Sequence, residues 1–120
     1  MFLRINRTII DYVYIVVYTM HMLEILQTDE FAKWLKRLRD AEAKARINVR
    51  IRRISLTGNF GDAKPIGDGV YELRIDYGPG YRVYYSQRGS EIILLLIGGD
   101  KSSQQKDIDK AKKLNAEYEG

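Results

Sequence analysis

Two arginines stand one hairpin apart in this sequence: Arg74 follows Glu72 in the run Val70-Tyr71-Glu72-Leu73-Arg74, and Arg82 comes just after Gly78-Pro79-Gly80. A guanidinium fork holds two phosphate oxygens at once, so a pair of forks on neighbouring strands is a phosphate-binding arrangement. The same spacing suits an inter-strand ion pair of Glu72 with Arg74 or Arg82. Both readings stand, because a bulge at the glycine-proline turn would shift the register by one residue. Lys64 precedes Pro65 in a glycine-rich stretch, and Lys101 follows Gly98-Gly99-Asp100. Both fall where loops meet a sheet edge, a usual position for functional groups. Tyr71, Tyr77, Tyr81, Tyr84 and Tyr85 fill the same region. Aromatic faces among cations bind unstacked RNA bases, and tyrosines are also ordinary in half-buried strands.

What is missing narrows the chemistry. The chain has no cysteine and one histidine, His21, which removes disulfides, thiolate nucleophiles, cysteine zinc sites and paired-histidine metal sites, and leaves a serine-histidine triad without support. The lack of cysteine fits a reducing cytoplasm. Gly98-Gly99 lacks the spacing of a nucleotide loop. Asp107, Asp109, Glu117 and Glu119 do not fall at metal-ligand spacing and read as a solvated helix face. Neither a cofactor nor a metal is expected, and Lys, Arg, Asp, Glu or Tyr must carry any reaction. The net charge of +4 is modest, but its distribution is uneven. From Phe31 to Arg53 there are nine basic residues and only Asp40 and Glu42 to oppose them. That stretch is either a polyanion surface or the solvated cationic face of amphipathic helices.

The elements that must position these groups follow from periodicity. At 120 residues, 45% hydrophobic and 30% charged, the chain has the size and composition of one globular domain. Residues 9–20 (IIDYVYIVVYTM) are apolar, but twelve residues interrupted by Asp11 are too few to span a bilayer, which needs about 20. The composition allows an extra strand or an extension upstream of Met22, so residues 1–21 are set apart from a domain over residues 22–120. Residues 23–27 alternate as a short strand. Thr28 or Asp29 then caps a helix whose apolar stripe is Phe31, Trp34, Leu35 and Leu38. After a break near Asp40, a second helix runs on Ala43, Ile47, Ile51 and Ile54 until Thr57-Gly58-Asn59 stops it. Residues 60–68 read as a glycine-rich loop. Residues 70–77, 81–87 and 91–97 are three strands joined by tight turns, an antiparallel meander whose last strand is apolar throughout. Ser102 or Ser103 caps a final helix carrying Ile108, Ala111 and Leu114 inward. The order is β-α-α-β-β-β-α, an α+β fold of short strand, helical hairpin, three-stranded meander and C-terminal helix.

Several of these segments together resemble the RelE/ParE toxin superfamily, nearest its HigB-like "addiction module killer" branch. They are Phe31-Ala32-Lys33-Trp34-Leu35, the stretch Gly61-Asp62-Ala63-Lys64-Pro65-Ile66-Gly67-Asp68-Gly69-Val70, the strand Tyr71-Glu72-Leu73-Arg74, the hairpin Gly78-Pro79-Gly80-Tyr81-Arg82-Val83-Tyr84-Tyr85, and Gly98-Gly99-Asp100-Lys101-Ser102. They occur in the family's order across residues 22–117, leaving residues 1–21 unmatched. The resemblance implies a RelE-like α+β toxin of a type II toxin–antitoxin pair. Such a toxin is cytoplasmic, is neutralised by a protein antitoxin, and in the ribonuclease branch cleaves mRNA on the ribosome without a metal. Operator DNA is then a partner only of the toxin–antitoxin complex, and a membrane is not a partner.

Strand cleavage by a ribose 2′-hydroxyl needs a proton acceptor, a donor for the departing 5′ oxygen and cations facing the phosphate. On the family pattern the catalytic candidates are Lys64, Arg74, Arg82 and Lys101, with Arg74 as phosphate clamp. Lys64 or Lys101 is the acid or base if cationic neighbours lower its pKa. Tyr81, Tyr84, Lys36, Arg50 and Arg53 are the RNA-binding candidates. Members also carry a Tyr or His in or before the last helix, and Gln104 to Ile108 supplies neither. Two other readings remain: a ParE-like inhibitor of DNA gyrase, and a catalytically inactive regulatory member that binds DNA with its antitoxin.

Overall fold

A computed structural model describes residues 22–118. The apolar segment 9–20, expected as an extra strand or an extension, lies outside the described residues. The elements are β1 (Glu24–Gln27), α1 (Asp29–Arg37), α2 (Ala41–Thr57), β2 (Ala63–Gly67), β3 (Val70–Ile75), β4 (Tyr81–Arg88), β5 (Ile92–Asp100), a 3-10 turn (Lys101–Ser103) and α3 (Gln104–Glu117).

Local chemistry sets most of the boundaries. Thr28 begins α1: its Oγ1 accepts from the Phe31 amide at 2.9 Å and donates to the Leu96 carbonyl at 2.7 Å, so one hydroxyl caps the helix and ties it to β5. Asp40 starts α2 by accepting from the Ala43 amide at 3.1 Å. Gly58, at φ 71°, ends α2 in the left-handed conformation that a side chain would oppose.

The sheet has the order β1-β5-β4-β3-β2, with β1 parallel to β5 and every other pairing antiparallel. The expected meander is β3-β4-β5. The expected loop over residues 60–68 is different: it contains β2, paired with β3 and bulged between Pro65 and Gly67. Pro65 lacks an N–H, which an edge strand tolerates because its outer side needs no donor. The glycines serve a hairpin, with Gly67, Asp68 and Gly69 all at positive φ.

The two faces of the sheet are covered differently. The α1–α2 hairpin packs Phe31, Ala43, Ile47 and Ile54 against Leu73, Val83, Tyr85 and Ile93. On the other face α3 packs Ala111 and Leu114 against Val70, Tyr84, Leu94 and Leu96. β5 is buried from Ile93 to Gly99, as its apolar run predicts for a strand covered on both sides. A bulge between Tyr84 and Tyr85 carries register from Tyr84↔Ile97 to Tyr85↔Leu95, which lets Leu96 join Ile97 in the α3 core. No helix among the described residues is long and apolar enough to cross a membrane.

Candidate anion-binding site on the sheet

The bulge considered for the Gly78-Pro79-Gly80 turn falls elsewhere, so the turn leaves Arg74 and Arg82 as direct cross-strand partners. Strand alternation puts both on the α3 face together with Glu72 and Tyr84. Like charges placed opposite one another repel, and each guanidinium has its own counter-ion. Asp62 Oδ1 accepts from Arg74 Nη2 at 2.9 Å and from Nε at 3.2 Å. Both partners are open to solvent, with side-chain exposures of 41% and 55%. Hydrogen bonding to Asp62 holds the Arg74 guanidinium above its usual pKa. Arg82 instead faces Glu72, with Nε 3.5 Å from Oε2, and these side chains are 12% and 0% exposed. The inter-strand ion pair expected from the spacing thus forms with Arg82, while Arg74 turns to β2's approach.

The two lysines border the same place. Lys64 stands opposite Glu72 on β2 and is exposed. Lys101 begins the 3-10 turn, its amide 3.4 Å from the Pro79 carbonyl. Gly80, at φ 82°, passes between cations: a Cβ there would lie 3.1 Å from Arg82 Nη1 and 3.5 Å from Lys101 Cβ. Among the described residues neither lysine takes part in an ion pair. Lys64, Arg74, Arg82 and Lys101, four positions spread over 38 residues of sequence, therefore border one region of the sheet.

The RNA-binding candidates are scattered. Lys36 and Arg53 are exposed on the helical hairpin, across the sheet from the arginine pair. Arg50 is a structural clamp: Nη1 donates to the Arg74 carbonyl at 2.6 Å, and Nη2 donates to the carbonyls of Phe60 at 2.9 Å and Asp62 at 3.4 Å. Burial, then the neighbouring Arg53, lowers its pKa from the usual arginine value. Tyr81 turns inward, its ring edge-on to Trp34 at 6.4 Å, and burial raises its pKa. Tyr84 is fully buried and donates to Glu72 Oε2 at 3.1 Å. Burial, reinforced by Glu72, pushes its hydroxyl well above the usual tyrosine range. Neither ring offers a free stacking face, because the core claims both.

Two participants lacked a local signal. Gln104, at the start of α3, donates to Glu72 Oε2 at 2.7 Å. Asp107, expected on a solvated face, is half-buried, accepts from Ser103 Oγ and lies against Gly99, where any Cβ would collide with its carboxylate. Beyond the site, a groove of about 310 Å³ runs beside α2, lined by Arg46, Val49, Arg50, Arg53 and Ile75. Among the described residues no three acidic or histidine side chains converge to hold a metal ion.

Fold and site together define a small α+β protein whose mixed sheet carries two cross-strand arginines, each paired with a carboxylate, beside its C-terminal helix. Residues 33–117 match the profile of the family described as phage derived protein Gp49-like (DUF891), and the chain belongs to that toxin-like family. It is also 50% identical over 95 residues, 79% of this chain and 95% of the relative, to a Haemophilus influenzae protein described as uncharacterized.

Proposed function

We propose that this chain is a RelE-like toxin of a type II toxin–antitoxin pair, a cytoplasmic, metal-independent and ribosome-dependent mRNA endonuclease held in check by a protein antitoxin. The observation that carries the reading is the direct cross-strand opposition of Arg74 and Arg82 on a face that Lys64 and Lys101 border. Two guanidinium forks opposite one another can share a polyanion between them once it displaces the solvent-exposed Asp62 from Arg74. Membership of a toxin-like family supports the same reading.

In this mechanism a ribose 2′-hydroxyl attacks the adjacent phosphorus and the 5′ oxygen of the next nucleotide departs. Arg74, freed from Asp62, and Arg82 bind the non-bridging oxygens as charge builds on them. Lys64 and Lys101 flank the clamp from opposite edges and are the candidates for transferring the two protons. Lys36 and Arg53 lie on the far helical surface and touch ribosomal RNA rather than the scissile phosphate. Operator DNA is bound only by the toxin–antitoxin complex.

The test is mapping of mRNA 5′ ends in a purified translation reaction with and without the protein. Ribosome-held codons are expected to be cut, and Arg74→Ala is expected to lower cutting by about 100-fold, the usual cost of removing one oxyanion ligand. Intact message while the protein still arrests growth, with DNA damage signalling ahead of any fall in translation, would replace this reading with gyrase inhibition. Growth arrest unchanged by Arg74→Ala would remove the site from the activity altogether.

A further inference from the structure

We propose that Glu72 is a positioning residue of the cationic face: its buried carboxylate, held by Tyr84 and Gln104, sets the plane in which Arg82 presents its guanidinium to the phosphate. The proposal rests on the nuclease reading for its chemistry but on the geometry of β3, β4 and α3 for its substance. Glu72 is 0% exposed, so no ligand touches it and its influence must pass through a neighbour. One oxygen, Oε2, accepts both of its hydrogen bonds, from the Gln104 amide at 2.7 Å and the Tyr84 hydroxyl at 3.1 Å, and lies 3.5 Å from Arg82 Nε as an ion pair. Oε1 has no hydrogen-bond partner, and neither does Arg82 Nε.

As a stabilising device this arrangement is poor. A buried ion pair recovers its desolvation only when the remaining lone pairs and protons are satisfied, and here one atom on each side is not. Native interiors contain few such groups. Its effect on Arg82 is geometric. The guanidinium is planar, with Nη1 donating to the Gly80 carbonyl at 2.7 Å and its Nε edge drawn by charge, without a hydrogen bond, towards Glu72 Oε2 at 3.5 Å. One hydrogen bond and one charge contact on neighbouring edges of the fork restrict the directions in which it can point. Among the described residues Nη2 makes no hydrogen bond, and it is the edge left to a ligand. Arg74 differs in kind, because its partner Asp62 is 55% exposed and can be exchanged for an incoming phosphate. One arginine is preset and the other is released by the ligand.

The experiment uses the full chain and two readouts: the Arg82 Nε–H resonance in ¹⁵N–¹H NMR, and single-turnover cleavage of ribosome-held mRNA. Glu72→Gln is expected to shift and broaden that resonance. It should also lower the cleavage rate by about tenfold to 100-fold, the scale of a misplaced catalytic group, with the half-saturating ribosome concentration unchanged. On an Arg82→Lys background the same substitution should cost nothing further. An Arg82 Nε–H resonance unmoved in Glu72→Gln, or an equal further loss on the Arg82→Lys background, overturns the proposal. Should Glu72→Gln fail to fold, Gln104→Ala keeps the carboxylate and removes its shortest hydrogen bond, and the same resonance must move. Should the unmodified protein cut no message, the nuclease reading fails while the Arg82 resonance still decides whether Glu72 positions it.

Discussion

Tyr85 shows what burial does to a single residue. It lies stacked between Phe60 and Tyr71, with ring centroids 5.2 and 5.4 Å away, and burial pushes its hydroxyl up to about 12. The unfolded chain releases this proton near the usual tyrosine value of about 10, whereas the folded protein keeps it to about pH 12. Between those values the folded state binds more protons, so stability is fully present below pH 10 and falls as pH rises through the window, by about 3 kcal/mol from this residue. Urea unfolding at pH 9 and pH 11.5 checks it, and Tyr85→Phe should flatten the loss. Arg50 makes a second prediction at this scale. Arg50→Ala removes the bonds to the carbonyls of Arg74 and Phe60 and the longer one to Asp62, whose carbonyl keeps the Arg74 amide, and should cost about 2–3 kcal/mol in thermal unfolding, on the scale of hydrogen bonds to a charged group. Arg53→Ala, at an exposed position, should leave the melting temperature nearly unchanged. The direct opposition of Arg74 and Arg82 needed the register of the folded sheet, but that they lie on neighbouring strands was legible in the sequence because one short turn joins them. The inward turn of Tyr81 and Tyr84 and the clamp by Arg50 were not, since each depends on partners ten or more residues away.

Among the elements, those with a local stop and start signal match their sequence reading most closely. Thr28, Asp40 and Gly58 each satisfy a helix terminus through neighbours within four residues. Thr28 also reaches β5, so Thr28→Ala removes a cap and a long-range bond at once and should destabilise by about 2 kcal/mol. Thr28→Ser should recover most of that in the same denaturation experiment. β2 was hidden because proline and glycine normally mark loops; only its pairing with β3 makes residues 63–67 a strand. Gly98 is a related case. No turn requires it, but α1 lays Trp34 against it so closely that a methyl group there would overlap the indole ring. Gly98→Ala should therefore loosen the α1–β5 contact, lowering stability by about 3 kcal/mol and exposing Trp34, which its fluorescence would report.

At the scale of the whole molecule, covering by helices on both faces makes the middle of the sheet the most protected region. Amide exchange should be slowest over residues 93–97 and 83–85, which are buried in both layers' cores, and fastest in β1 and β2, which close the two edges. Mass-spectrometric hydrogen exchange resolves this order, and equal protection in β2 and β5 would contradict it. The same layering puts the basic hairpin and the arginine pair on opposite faces of the sheet. By itself the sequence determined the α+β class, the meander, the start of α1, the end of α2 and the strand face shared by Glu72 and Arg74, because those follow from periods of two and 3.6 and from side chains bonding to nearby backbone. The expected serine cap of α3 does not form, since Ser103 makes no capping bond and Asp100 instead accepts from the Ser102 amide to start the 3-10 turn ahead of it. Tertiary structure alone decided that Lys64 and Lys101 border that face, that Gln104 closes on Glu72, and that Tyr84 lies in the core. Those outcomes depend on which strands become neighbours and which helix covers them, and the burial of apolar surface settles both across the whole chain at once.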